Sequence, residues 1–135
     1  MSAPAKAFNG GVYSIDCPPK LRPHFNHAEC TVSAPTLNIV DEYRYFVVGD
    51  KIVGASSYRI LGSANIEGIV PFEATEVAEN AISKWTPDDV FCLDVGFDGS
   101  RYGIVEANCF NAARYYGANV IHILKAICEL FEPNS

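Results

Sequence analysis

Phe91-Cys-Leu-Asp-Val-Gly-Phe-Asp-Gly-Ser-Arg-Tyr-Gly-Ile-Val-Glu-Ala-Asn108 decides how the rest of this chain is read. Two runs rich in Val, Ile, Leu and Phe flank a short polar turn at Asp98-Gly99-Ser100, the pattern of a β-hairpin. Three oxygen donors, Asp94, Glu106 and Asn108, interrupt the otherwise apolar strands. Charges in half-buried strands are costly unless they are paired or bound to a cation. Glu106 and Asn108 are two residues apart, so a strand sends both to one face. With Gly99-Ser100-Arg101 as the loop, Asp94 falls directly opposite Glu106, at the roughly 4.5–5.5 Å Cβ spacing of cross-strand pairs. Two carboxylates that close repel each other, and two carboxylates with an amide oxygen suit Mg²⁺ or Mn²⁺. A two-residue Asp98-Gly99 turn is the alternative. It would send Asp94 to the other face and leave the acids solvated on separate sides.

Upstream, residues 39–48 and 51–61 read as a second hairpin joined by Gly49-Asp50. A two-residue turn pairs Val48 with Lys51. Counting back places Glu42 opposite Ser57, Arg44 opposite Ala55 and Val40 opposite Arg59. Glu42, Arg44, Ser57 and Arg59 then share one face, with Tyr43, Tyr45 and Val47 on the other. Two guanidiniums beside a carboxylate and a hydroxyl can bind an anion, because guanidinium meets phosphate in a bidentate fork. A solvated, salt-bridged outer face has the same composition and is worth about 0–1 kcal/mol per pair.

Around these hairpins, residues 29–35 suit a short strand, 62–70 a loop, and Pro71 the start of a helix running to about Trp85. Ala74, Val77, Ala78, Ala81, Ile82 and Trp85 form its core stripe, with Glu73, Glu76, Glu79 and Lys84 towards solvent. Residues 109–116 read as a loop from which Asn111 and Arg114 would reach a substrate. A last helix, about 119–131, buries Val120, Ile123, Leu124, Ile127 and Phe131 and leaves His122 on the surface. The order of strand, hairpin, helix, hairpin, helix gives an α+β fold, an antiparallel sheet with helices packed on one face. The opposite face would carry Glu42, Arg44, Arg59, Asp94, Glu106 and Asn108.

The 135 residues fit one domain spanning 1–135, with a genuine core: 49% are apolar and 19% charged. A net charge of −6 argues against a general nucleic-acid or anionic-membrane surface. No apolar run approaches the roughly 18 residues of a membrane span, and the start lacks a signal peptide's apolar core. Five cysteines without a Cys-x-x-Cys pair suggest reduced thiols in a cytoplasmic protein. His24, His27 and Cys30 hint only faintly at zinc, since no second ligand pair follows. Lys6 followed by Gly10-Gly11 would let backbone N–H groups approach a phosphate, although a frayed terminus has the same look.

Residues 41–59, Leu93-Asp-Val-Gly96 and Ile104-Val-Glu-Ala-Asn108 together resemble the C-terminal lobe of an ATP-grasp domain, in a branch found in bacteria and phages. Lys6-Ala-Phe-Asn-Gly-Gly-Val-Tyr13 is similar to the glycine loop that opens the matching region. The resemblance implies an ATP-binding fold with Mg²⁺ (or Mn²⁺) held by Asp94, Glu106 and Asn108. It also implies Arg44 and Arg59 as the catalytic arginines near phosphate or acyl-phosphate, with Lys6, Gly10 and Gly11 over the phosphates. Ser33, in a segment similar to the hinge beside the adenine, and Glu42 complete the implied nucleotide contacts. Ala34 stands where a ribose-binding Glu commonly follows that Ser, which weakens the contact.

The implied activity is ligation of a carboxylate to an amine through an acyl-phosphate. The chain, however, resembles one lobe of a two-lobed site. The expectation is therefore a ligase-type lobe completed by a second subunit or by a homo-oligomer. The alternatives are a degenerate lobe that acts as a non-catalytic interaction module, or a piece of a longer enzyme, which Met1 disfavours. A metal-dependent phosphatase using the same acids is a further, thinner reading.

Overall fold

Asp41–Val48, strand β1, is buried along nearly its whole length and forms the middle of a five-stranded antiparallel sheet. The computed structural model describes residue 16 and residues 38–61, 63–67, 69–110 and 114–133. The expected strand at 29–35 and the His24, His27 and Cys30 group lie outside these residues. β1 is followed by β2 (Lys51–Ile60), β3 (Ser63–Glu67), helix α1 (Phe72–Lys84), β4 (Val90–Phe97), β5 (Tyr102–Cys109) and helix α2 (Val120–Phe131). The strand order is β3-β2-β1-β4-β5. The fold is α+β, built on two hairpins that meet along β1 and β4.

The first hairpin turns as its sequence dictates. Gly49 takes φ +64, and Val48 pairs with Lys51. The register then slips twice. Gly54, not Val53, faces Phe46, and Arg59, not Tyr58, faces Glu42. Each slip is a β-bulge, in which two residues oppose one. The expected register is therefore corrected: Arg44 faces Ser56, and Ser57 faces Tyr43 on the other side of the sheet. Alternation of polar and apolar residues cannot register an inserted residue, so counting back from the turn fails after the first bulge. The loop expected over 62–70 contains β3, a short edge strand paired to β2.

The second hairpin reaches the expected pairing by a different route. Its loop is Asp98-Gly99-Ser100-Arg101, with Phe97 facing Tyr102. The Asp98 carboxylate accepts hydrogen bonds from the N–H groups of Ser100 (2.9 Å) and Arg101 (2.8 Å), while Gly99 takes φ +92. An even loop alone would separate the acids. A bulge at Val105 adds one residue to β5 and returns Asp94 to a position opposite Glu106. Gly96 makes room for that bulge, because a Cβ there would come within 2.8 Å of Val105 Cγ2.

Helix packing departs from the expectation in one respect. α1 lies on one face of the sheet, where Ala74, Ala78 and Ile82 meet Tyr43, Tyr45, Val47, Phe91, Leu93 and Val95. α2 lies on the opposite face, where Ile123 meets Phe46 and Cys92. Neighbouring residues of one strand point to opposite faces, so Phe46 and Val47 cannot serve the same helix. Gly54 explains how α2 comes so close: a Cβ at that position would lie 3.1 Å from Ile123. Resting on that ridge, α2 buries less than its stripe implies, leaving Leu124 48% and Phe131 62% exposed. Trp85 also leaves the expected stripe, since α1 ends at Lys84 and Trp85 continues in extended backbone. Among the described residues, no helix is long and apolar enough to cross a membrane.

Candidate functional site

The face shared with α2 carries the charged residues. Even-numbered positions of β1 (Glu42, Arg44, Phe46) lie beside Gly96, Asp94 and Cys92 of β4. Asp94 in turn faces Glu106, and Cys92 faces Asn108. Asp94, Glu106 and Asn108 therefore stand on one side of the sheet, across two adjacent pairs of the same hairpin. α2 covers the Phe46–Cys92 part of this face. Glu106 is exposed and Asn108 half-buried.

Asp94 is fully buried. The Arg44 guanidinium donates to both its oxygens, Nε to Oδ1 at 2.8 Å and Nη2 to Oδ2 at 2.7 Å, a bidentate fork. Burial pushes the Asp94 carboxyl above its ordinary pKa against the pull of those bonds, and Glu106 and Glu42 push it further. The same fork holds Arg44 more firmly protonated. Neither Glu106 nor Asn108 has a hydrogen-bond or ion-pair partner for its side chain among the described residues.

A second ion pair lies alongside. Arg59 Nη1 meets Glu42 Oε2 at 3.0 Å, and Tyr58 donates its hydroxyl to Glu42 Oε1 at 2.7 Å. The bulge that places Arg59 opposite Glu42 lets both consecutive side chains of β2 reach the one carboxylate. The Arg59 side chain keeps 47% of its surface exposed, whereas that of Arg44 keeps 10%. Three carboxylates (Glu42, Asp94, Glu106) against two guanidiniums leave one net negative charge on this face.

Two tyrosines complete the arrangement, and sequence reasoning missed both. The rings of Tyr58 and Tyr116 stack 11° from parallel at 5.1 Å, and the Arg44 guanidinium carbon lies 5.4 Å from each ring centre. Tyr116 belongs to a turn with φ +51 that Gly117 pins to β2 by donating its N–H to Ser56 Oγ at 2.9 Å. The bulge at Tyr58 hid one ring from any count of alternation. The other sits in an irregular segment with no periodicity to read. Cys92 takes no part as a ligand, because burial pushes its thiol pKa to about 12 and keeps it protonated.

The donor set fits a hard divalent cation. Asp94 keeps unshared lone pairs on both oxygens, since Arg44 uses only one site on each. Glu106 adds a carboxylate facing solvent, and Asn108 an amide oxygen. Among the described residues, no group of three or more His, Cys, Asp and Glu side chains is placed to hold a metal. A cation here would thus depend on the Asn108 amide and on water or phosphate oxygens, which Mg²⁺ ordinarily retains. Arg44, Arg59 and Glu42 lie on the same face, as the sequence suggested, while Ser57 does not. Lys6, Gly10, Gly11, Ser33 and Asn111 lie outside the described residues, and Arg114 is exposed.

Comparison with known proteins gives a family and a fold. The profile of an ATP-grasp domain, the second family of its clade, matches residues 2–126. The structure of the ATP-grasp ligase PsnB complexed with minimal precursor aligns over 72% of this chain with a TM-score of 0.50 and 18% identity. PsnB complexed with a phosphomimetic variant of minimal precursor, Mg and ADP aligns over 72% with a TM-score of 0.51 and 19% identity. This chain spans about a third of the length of those structures, 36% and 34%. No curated protein matches.

Proposed function

Since the chain belongs to this clade of ATP-grasp domains, we propose that it binds ATP with Mg²⁺ or Mn²⁺ on the face shared by Asp94, Glu106 and Asn108. It would act as one lobe of a carboxylate-amine ligase, the other lobe being supplied from outside the residues described. The observation that supports this reading most is the pairing of Asp94 with Glu106, with Asn108 on the same face one pair away. Asp94, Glu106 and Asn108 would hold the cation, whose chemistry is to neutralise phosphate oxygens during transfer.

The remaining roles follow from exposure. Arg59, half-exposed and anchored on Glu42, is the guanidinium placed to meet phosphate oxygens. Glu42 orients it and is itself fixed by Tyr58. Arg44, buried and bonded twice to Asp94, acts through that carboxylate. Acyl-phosphate chemistry asks mainly for fixed charges and little for a general base, and this face holds its charges on rigid strands. Phosphate release without an acceptor would instead favour a phosphatase.

Isothermal titration with ATP·Mg²⁺ tests the proposal. Binding should be measurable for the wild type and weaken by about 10–100-fold in Glu106→Gln and Asn108→Ala, the loss expected when a metal site is impaired. Equal affinity in all three proteins would contradict it. A second reading, a non-catalytic module that acts through a protein partner, draws support from the apolar side chains that α2 leaves exposed: Ile121, Leu124, Leu130 and Phe131. A wild type that gives no heat with ATP·Mg²⁺ would leave that reading in place.

A further inference from the structure

Arg44 holds the buried carboxylate of the candidate cation site by a fork at 2.7 and 2.8 Å, so whatever fixes Arg44 also fixes Asp94. On the side away from Asp94, that guanidinium meets aromatic rings. Tyr58 is tied through its hydroxyl to Glu42 at 2.7 Å. Tyr116 stacks on Tyr58, and its own turn is fastened by the Gly117 N–H to Ser56 Oγ at 2.9 Å. The Tyr116 backbone sits in the left-handed region at φ +51, which a non-glycine residue adopts at a cost when surrounding contacts hold it there. Its ring is half-buried, and its hydroxyl has no partner among the described residues.

We propose that Tyr116 is a positioning residue of the cation site: its ring, stacked on Tyr58, keeps the Arg44 guanidinium on Asp94, so that this carboxylate stands fixed beside Glu106 and Asn108. The proposal rests on the functional reading above for the cation, but the ring's hold on Arg44 can be measured without one. An aromatic face favours a guanidinium through its ring quadrupole, so the ring carries the effect and the hydroxyl does not. Partners one shell removed from a metal set the orientation of its ligands, and their loss typically weakens metal binding by about 10–100-fold. Tyr116 stands one contact further out, behind Arg44. Its loss should therefore fall at or below the lower end, about 3–10-fold.

The test uses the full chain as wild type, Tyr116→Phe and Tyr116→Ala, with two readouts. Without metal, nuclear magnetic resonance follows exchange of the Arg44 Nε–H, alongside the amides of β1 and β4 as a control for global opening. The expected result is a protected Nε–H in wild type and Tyr116→Phe, with exchange at least about tenfold faster in Tyr116→Ala while the strand amides stay unchanged. Then Mn²⁺ affinity is measured in the presence of ADP, with a loss expected in Tyr116→Ala only. Unchanged Nε–H protection in Tyr116→Ala overturns the proposal, as does a Tyr116→Phe protein that behaves like Tyr116→Ala. If Nε–H exchange responds as expected but Mn²⁺ affinity does not, Tyr116 holds Arg44 without serving the site, and the positioning role is overturned. A wild type that takes no Mn²⁺ with ADP overturns the functional reading and this residue's role at a cation site together, while the exchange data still report whether the ring holds Arg44.

Discussion

Asp94 exchanges water for one guanidinium. A buried carboxylate loses several kcal/mol of hydration, and only a well-formed fork with a charged partner offsets this. Removing one partner strands the other, whereas replacing both with apolar groups removes the desolvation cost together with the attraction. Asp94→Ala should therefore lower stability by about 3–5 kcal/mol in urea unfolding. The double change Arg44→Met, Asp94→Leu should lose much less than the sum of its single changes. Additive losses would mean that the two side chains do not act as a pair. Glu106→Gln, at an exposed and unpartnered carboxylate, should stay within about 0.5 kcal/mol of wild type. That contrast separates the acid the fold depends on from the acid left to a ligand.

At the scale of elements, β1 gathers both cores. Its odd positions Tyr43, Tyr45 and Val47 face α1 and its even position Phe46 faces α2. Burial pushes the phenols of Tyr43 and Tyr45 up to about 12, in each case the largest cause. Unfolded tyrosine ionises near 10, so the folded state holds these protons over an interval in which the unfolded chain releases them. Stability is then complete below about pH 10 and falls as pH climbs towards 12, by up to about 3 kcal/mol for each ring. Denaturation midpoints measured across this range should fall, and less steeply in Tyr45→Phe, even though that variant loses its bond to Thr75 at 3.1 Å. An unchanged slope would show that the phenols are not responsible.

The strands, both helices and the hairpin turns were legible in the sequence because apolar alternation and helical spacing record burial directly. Registers past a bulge were not, because an inserted residue leaves no trace in alternation. The pairing of Asp94 with Glu106 was reached with a three-residue loop in mind, whereas a four-residue loop and a bulge at Val105 together produce it. The Asp98 side chain that closes this loop on two N–H groups is the signal that would have found it.

For the molecule as a whole, the two faces of one sheet divide the labour. One face is filled by α1 and is apolar; the other begins with the small core under α2 and continues into charge. The ion pairs, the tyrosine stack and the half-exposed Arg59 all lie on that second face, on strands whose opposite side is packed. A nucleotide-bound cation would therefore meet ligands already held in place. How the helices divide between the faces was not legible in the sequence. The two apolar stripes show that each helix buries a face, but only the parity of Phe46 and Val47 decides which side each serves.

Paramagnetic broadening by Mn²⁺, added with ADP to the isotopically labelled chain, addresses the central claim most directly. The account predicts that signals of Asp94, Glu106 and Asn108 and their β4 and β5 neighbours broaden first, while those of α1, including its Glu73, Glu76 and Glu79, stay sharp. Broadening centred on the α1 acids, or none anywhere on the β4–β5 hairpin, would contradict it.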